Sequence, residues 1–336
     1  MRIFIAGAGA IGGYIGARLT RAGADVVLLA RGPHLRAMKE RGLRVTSVDG
    51  DFEVRPEVTG DLADVQAAEV VFLGVKAHSL VTVAPQLRAL FGQDTVVVST
   101  QNGIPWWYFE SLGGELDGLR LERVDPGGVI ASAIEHRRVV GSLAYFATDV
   151  VEPGVIRHTE GHRISLGEPD GNRSERTKKI AEMLGQAGFR CPITARIRQE
   201  IWVKLLGNVA FNPISALTGG TLEELARHPD TCRLVRDVMT ETEAVARKLG
   251  IELPITIDQR IAGAEKVGAH KTSMLQDLEA GRPMELEAVV GAVVELGERL
   301  GVAMPATRAV YACAKLLDEH RGARATPRAE EVLRSG

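Results

Sequence analysis

Residues 1–23 read MRIFIAGAGAIGGYIGARLTRAG, and the fold of the first half of the chain follows from them. Arg2–Ala6 is a short apolar run with the composition of a buried strand. Gly7-Ala8-Gly9-Ala10-Ile11-Gly12 follows at once and matches the GxGxxG pattern. Gly12–Ala22 has helical periodicity and is stopped by Gly23. A bare GxGxxG is weak evidence, because glycine turns are common. Placed between a strand and a helix, it predicts a dinucleotide-binding turn. Gly7 permits the tight turn, Gly9 lets the backbone approach a pyrophosphate, and Gly12 allows the helix to lie close to the strand. The helix N-terminus then offers unpaired N–H groups and a partial positive charge to the anion.

Working outward, Val26–Ala30 is a second strand, and Arg31 ends it. An NAD-specific site carries a carboxylate at this point for the ribose 2′-hydroxyl. An arginine suits a 2′-phosphate, so the expected cofactor is NADP(H), with a solvated strand-end residue as the plain alternative. Further strands are expected at Val70–Val75 and Thr95–Thr100, alternating with helices as in a parallel sheet with crossovers. Lys76 and Asn102 close these two strands, where ligands gather in open α/β sheets. Each also has a plain reading, Lys76 as a surface lysine and Asn102 as a turn former before Gly103. Their shared edge favours the cofactor or the substrate.

From Val129 to Leu166 the pattern becomes short strand-like runs broken by EPGV and TEGH, expected as a meander that extends the sheet. Glu175–Ala187 reads as a helix and FRCPIT as a short strand. Beyond Ile197 the chain is almost wholly helical, with expected helices at Ile197–Ala216, Leu222–Leu249, Ile255–Val267 and Met284–Leu300. The expected organisation is α/β: a Rossmann-like domain at 1–195 with a parallel sheet plus added meander strands, an all-helical domain at 196–325, and a polar tail at 326–336.

A net charge of −2 provides no field for nucleic acid or an anionic membrane, so neither is an expected partner. No apolar window reaches the ~18 residues of a membrane span, and the N-terminal run lacks a cleavage site. A cytoplasmic location is the default expectation. Cys191, Cys232 and Cys313 have no metal or disulfide spacing and are expected as small buried hydrophobes. His158 and His162 fall in a strand-and-turn segment and are taken as surface residues; no metal is expected.

The helical half carries its own constellation. Lys204, Asn208 and Asn212 recur at four-residue steps, which stacks them on one helix face among Trp, Leu, Val and Phe. A buried lysine is costly unless paired or neutral, so this stripe points to chemistry more than to a solvated face. Glu285 follows Pro283-Met284 in the first turn of an apolar helix, where by itself it would be a carboxylate favoured by the helix dipole.

Together these segments resemble the ketopantoate reductase (2-dehydropantoate 2-reductase) family over nearly the whole chain. They are GAGAIGGYIGARL, Val75–Ala77, Gln101–Gly103, the KLxxNxxxNPxSALTG of Lys204–Gly219 and the SMLQDLxxGRPMELE of Ser273–Glu287. The resemblance implies a Rossmann-like domain and a helical domain with the active site in the cleft between them. It implies NADPH-dependent reduction of ketopantoate to pantoate on the way to pantothenate; the alternatives are a paralogous NADPH-dependent reductase of another 2-oxo acid and a non-catalytic NADP-sensing protein. Lys204 would be the general acid, and Glu285 would hold the substrate's terminal hydroxyl. Asn208, Asn212 and Asn102 would bind substrate, and Ser273 would bind its carboxylate. Gly7, Gly9, Ala10, Ile11, Gly12, Arg31, Lys76 and Asn102 would meet the cofactor, and a homodimer is compatible with the family. The chain departs from the family in the aromatic run Trp106-Trp107-Tyr108-Phe109. If these side chains line the pocket, the substrate would be bulkier; otherwise they pack in the first domain or at a subunit contact.

Overall fold

The glycine turn joins β1 (Arg2–Ala6) to α1 (Ala10–Arg21), and β2 (Asp25–Leu29) runs parallel to β1 with Ile3 beside Val26. The structure, a computed structural model, describes residues 1–325, with side chains to residue 320; the tail expected at 326–336 lies outside the described residues. Contacts divide the chain into two compact units, Met1–Arg198 and Gln199 onward.

The first unit continues through α2 (Gly32–Arg41), β3 (Leu43–Ser47), β4 (Phe52–Val54), β5 (Glu57–Thr59), β6 (Ala68–Leu73), α3 (Ala77–Leu87) and β7 (Phe91–Ser99). After α4 (Val129–Ala133) come β8 (Val139–Glu152), β9 (Val155–Gly167) and α5 (Glu175–Gln186). The strands form one sheet in the order β4-β3-β9-β8-β7-β6-β1-β2-β5. Its centre, β7-β6-β1-β2, is parallel, and the antiparallel pairs are β8–β9 and β3–β4. Successive residues Ile3, Phe4 and Ile5 are all fully buried, so both faces of the central sheet are covered, as a parallel sheet requires.

The expected meander is a single long hairpin. Bulges between Tyr145 and Ala147 and between Val150 and Glu152, with Gly161 at φ +73°, break the alternation that would have revealed two continuous strands. The segment 129–133 is helical, not extended. FRCPIT forms only isolated bridges to β9, at Arg190 and Ile193. His158 is buried rather than on the surface: its ring stacks on Tyr14 at 4.6 Å, and its Nδ1 lies 2.8 Å from Ser47 Oγ. His162 is exposed. The cysteines are less enclosed than expected, with Cys191 and Cys232 half-buried and Cys313 exposed.

The second unit is helical: α6 (Ile197–Thr218), α7 (Leu222–Arg227), α8 (Pro229–Lys248), α9 (Ile257–Val267), α10 (Ser273–Glu279), a π-helical turn at Glu287–Gly291 running into α11 (Ala292–Arg299), and α12 (Pro305–Ala325). Leu222–Leu249 is two helices because Pro229 opens α8 at its first position with His228 as N-cap. Helix α6 buries Trp202, Leu205, Leu206, Val209, Ala210 and Phe211, residues spread around its whole circumference, as befits a helix at the centre of a core. Glu241 ties α8 to α12, accepting from the Ala306 and Thr307 N–H groups at 2.9 and 2.8 Å.

Candidate active site

In the first unit the glycine turn is built by close approach. Gly7 has φ +110°, and a Cβ there would stand 2.7 Å from Val75 Cγ1. A Cβ at Gly12 would stand 2.1 Å from the Gly7 carbonyl oxygen and 3.0 Å from Gly74 Cα. Gly74 is the reciprocal partner: its Cβ would be 2.5 Å from the same oxygen and 2.8 Å from Gly12 Cα. Gly9 differs, since a Cβ there would find only the Gly74 oxygen, 4.0 Å away. The protein itself therefore does not require glycine at position 9. A ligand backbone resting against the turn would, which is the fit expected for a pyrophosphate.

Gly9 is also the N-cap of α1, no side chain caps it, and the first turn holds no acidic residue, so Ala10 and Ile11 open the helix toward the turn. The turn is held from two sides. Ala8 N–H donates to Leu29 at 2.7 Å, and the His34 Nε2–H donates to the Ala8 carbonyl at 2.9 Å. Gly154 N–H donates to His34 Nδ1 at 3.0 Å, which fixes this tautomer, and burial pushes the imidazole's proton affinity down.

Arg31 caps α2 in extended backbone, is exposed, and is followed by Gly32 and Pro33. Lys76 is the half-buried N-cap residue of α3, one residue beyond Val75. Asn102 is half-buried in the bend after β7. Its neighbour Gln101 joins these places. The Gln101 amide donates to the carbonyls of Leu73 and Val75 at 2.6 and 3.0 Å, clamping the end of β7 onto the turn that contains Gly74 and leads to Lys76. Gly7, Gly9, Gly12, Lys76 and Asn102 thus belong to one framed edge of the sheet. Gly74, Gln101 and His34, which hold the frame, were not found from sequence. A glycine directly after an apolar strand was the available signal for Gly74; nothing local marked His34.

The aromatic run is core. Trp106, Trp107, Tyr108 and Phe109 are all buried, and a Cβ on Gly141 would strike the Trp107 ring at 2.6 Å. Arg198 fastens the run by donating to the Tyr108 and Glu110 carbonyls, each at 2.7 Å. The size of these side chains is explained by packing within the first unit.

In the second unit the stripe Lys204, Asn208, Asn212 is present on α6, with Lys204 and Asn208 half-buried and Asn212 buried. Burial pushes the Lys204 ammonium down to about 8; the Glu285 carboxylate opposes that shift and the Arg260 guanidinium adds to it. Lys204, Glu285 and Arg260 thus form one electrostatic cluster. Glu285 lies just ahead of the helical turn and not within it, its carbonyl accepting the Val289 N–H at 3.2 Å. Ser273 is the first residue of α10 and is exposed; the N-cap is Thr272, and Ser273 makes no hydrogen bond to this cluster among the described residues. Arg260 was missed because a lone arginine in the first turns of a polar helix carries no sequence signal. Among the described residues no cluster of His, Cys, Asp and Glu is arranged to hold a metal ion, and no helix is long and apolar enough to cross a membrane.

Residues 3–171 match the family profile described as ketopantoate reductase PanE/ApbA, and residues 196–318 match that of its C-terminal part. The chain belongs to the ketopantoate reductase family. A 2-dehydropantoate 2-reductase of Mesorhizobium japonicum is 49% identical, the match covering 96% of this chain and 99% of that protein. The protein of the same name from Archaeoglobus fulgidus is 33% identical, covering 90% and 92%. The crystal structure of a ketopantoate reductase candidate from Ralstonia solanacearum MolK2 superposes with a TM-score of 0.91 at 40% identity, covering 96% and 98% of the two chains. As a ketopantoate reductase family member the chain is an oxidoreductase of the class acting on CH–OH groups, with a Rossmann-type nucleotide domain and a helical domain.

Proposed function

We propose that this chain reduces 2-dehydropantoate to pantoate with NADPH, using Lys204 as the proton donor. The observation that carries the reading is the Lys204–Glu285 pair at the head of the Asn208–Asn212 stripe. Its lysine is held near 8, so it is mostly protonated at neutral pH yet releases its proton readily. When bound, the reduced nicotinamide supplies a hydride to the keto carbon. Lys204 Nζ meets the negative charge that builds on the keto oxygen and passes its proton there, so the ketone becomes a hydroxyl and the lysine is left neutral. Glu285 holds the ammonium in place and accepts from the substrate's terminal hydroxyl, while Asn208, Asn212 and Ser273 offer donors and acceptors to the remaining oxygens.

On the first unit, Gly7, Gly9 and Gly12 let the α1 N-terminus meet the pyrophosphate, with Ala10 and Ile11 contributing the first helical N–H groups. Arg31 pairs with the 2′-phosphate, supported by its exposed position at the end of β2 where a carboxylate would select NAD. Lys76 and Asn102 face the nicotinamide end and the substrate. A cytoplasmic place in pantothenate biosynthesis belongs to the same reading. The test is steady-state oxidation of NADPH with ketopantoate beside a panel of 2-oxo acids. Turnover of ketopantoate at the highest kcat/KM is expected; preferential turnover of another acid would replace the substrate, and none with any acid would remove the reductase reading.

A further inference from the structure

Lys204 and Glu285 together carry no net charge while the lysine is protonated, and a net negative one once it is not. Neither state attracts an anionic substrate. The other charged group acting on Lys204 is Arg260, in the first turns of α9. Helix α9 is capped firmly at that end by a Thr256–Gln259 box, with Thr256 accepting from Gln259 N–H at 3.1 Å and Gln259 accepting from Thr256 N–H at 3.0 Å. The half-buried Arg260 side chain lies flat over α6 at Gly207, three residues after Lys204 and so on the same side of the helix. A Cβ at position 207 would fall 2.2 Å from Nη2, 2.4 Å from Nε and 2.6 Å from Cζ of Arg260. Gly207 sits inside a 22-residue helix, where glycine is unfavourable relative to alanine, and it is buried. Its place is explained by the guanidinium it admits.

We propose that Arg260, seated on Gly207, is the residue that makes this site select a carboxylate-bearing substrate. A guanidinium stays charged across the working pH range, so the cluster is net positive while Lys204 is protonated and falls only to neutral, not negative, once it is not. The division of labour is physical: Lys204 must lose its proton to do chemistry and cannot be a constant anchor for an anion. Arg260 keeps a fixed charge beside it, and its repulsion helps to bring the lysine near neutrality. This rests on the reductase reading above.

The experiment compares ketopantoate with its uncharged lactone, ketopantolactone, on the full-length enzyme, by steady-state kinetics with NADPH and by calorimetric binding. Arg260→Met should raise KM and Kd for ketopantoate by about 10- to 100-fold, the span for losing a charged partner. The lactone constants should move by less than about twofold on the same scale. Arg260→Lys should keep most of the preference. Gly207→Ala should displace the guanidinium without deleting it: selectivity for the acid falls while Tm holds or rises, because alanine favours the helix. Equal changes for acid and lactone, or none, in Arg260→Met would overturn the role of Arg260 while wild-type turnover leaves the reductase reading intact. If the wild type neither binds nor reduces a 2-oxo acid, both fall.

Discussion

Lys204 holds its proton near 8 because burial largely withdraws the ammonium from water, against an ordinary value of 10.5. In the mechanism proposed above Lys204 donates only when protonated, so kcat is expected to be flat below neutrality and to fall as pH rises through about 8. Removing the Glu285 charge takes away the influence that raises the lysine, so Glu285→Gln should move the falling limb to lower pH. Removing Arg260 should move it higher. Lys204→Ala should lower kcat by about two to four powers of ten with NADPH binding retained. Near-normal turnover there, or a limb unmoved by both charge removals, would take Lys204 out of the mechanism. Stability has the opposite sense. The unfolded chain binds this proton more tightly, so the cost of burying the charged lysine is present below about 8 and relieved as pH rises toward the ordinary lysine value. At this scale the stripe was legible, because helical spacing is local. Arg260 and Gly207 were not, because their meaning is a close approach between helices that are distant in sequence.

The dinucleotide turn is a device of three elements, β1, α1 and the end of β6, and its glycines serve two different ends. Gly7, Gly12 and Gly74 are squeezed against one another by backbone, whereas Gly9 faces open space. Substituting Gly74→Ala drives a Cβ to 2.5 Å from the Gly7 oxygen, which nothing flexible can relieve. It should cost about 1–3 kcal/mol, read as a fall in Tm, and weaken NADPH as well. Gly9→Ala meets no clash, so Tm should barely move while the Kd for NADPH rises about tenfold or more. If Gly9→Ala bound NADPH normally, the pyrophosphate would not rest on this turn. Elements with strong patterns were read correctly, and β1 and α5 fell within a residue of their expected bounds. The three strands β3, β4 and β5 were missed because each is only three to five residues long and at least partly exposed, too short for a period to emerge. The π-helical turn after Glu285 was invisible for another reason. Within it Gly291 leaves room for the Glu287 carboxylate, which accepts from Tyr311 at 2.8 Å on a later helix, a contact no local pattern announces.

Over the whole chain 41 basic and 43 acidic side chains nearly cancel, so no long-range field draws a polyanionic cofactor toward the protein. On the NADPH reading proposed above, discrimination from NADH would rest on cations close to the 2′-phosphate, and the exposed Arg31, just after β2 at the start of α2, is the candidate. An exposed pair of this kind is weakened by salt, while the NADH complex lacks it altogether. The preference for NADPH should therefore shrink as ionic strength rises from ~0.02 to ~0.5 M, through KM for NADPH alone. Arg31→Asp should remove most of the preference and most of its salt dependence, raising KM for NADPH by about 10- to 100-fold with little change for NADH. The paired measurement separates two cases that a single KM would not. A preference that survives the substitution and stays salt-sensitive would assign the phosphate to another cation, and one insensitive to salt from the outset would mean that shape, not charge, selects the cofactor.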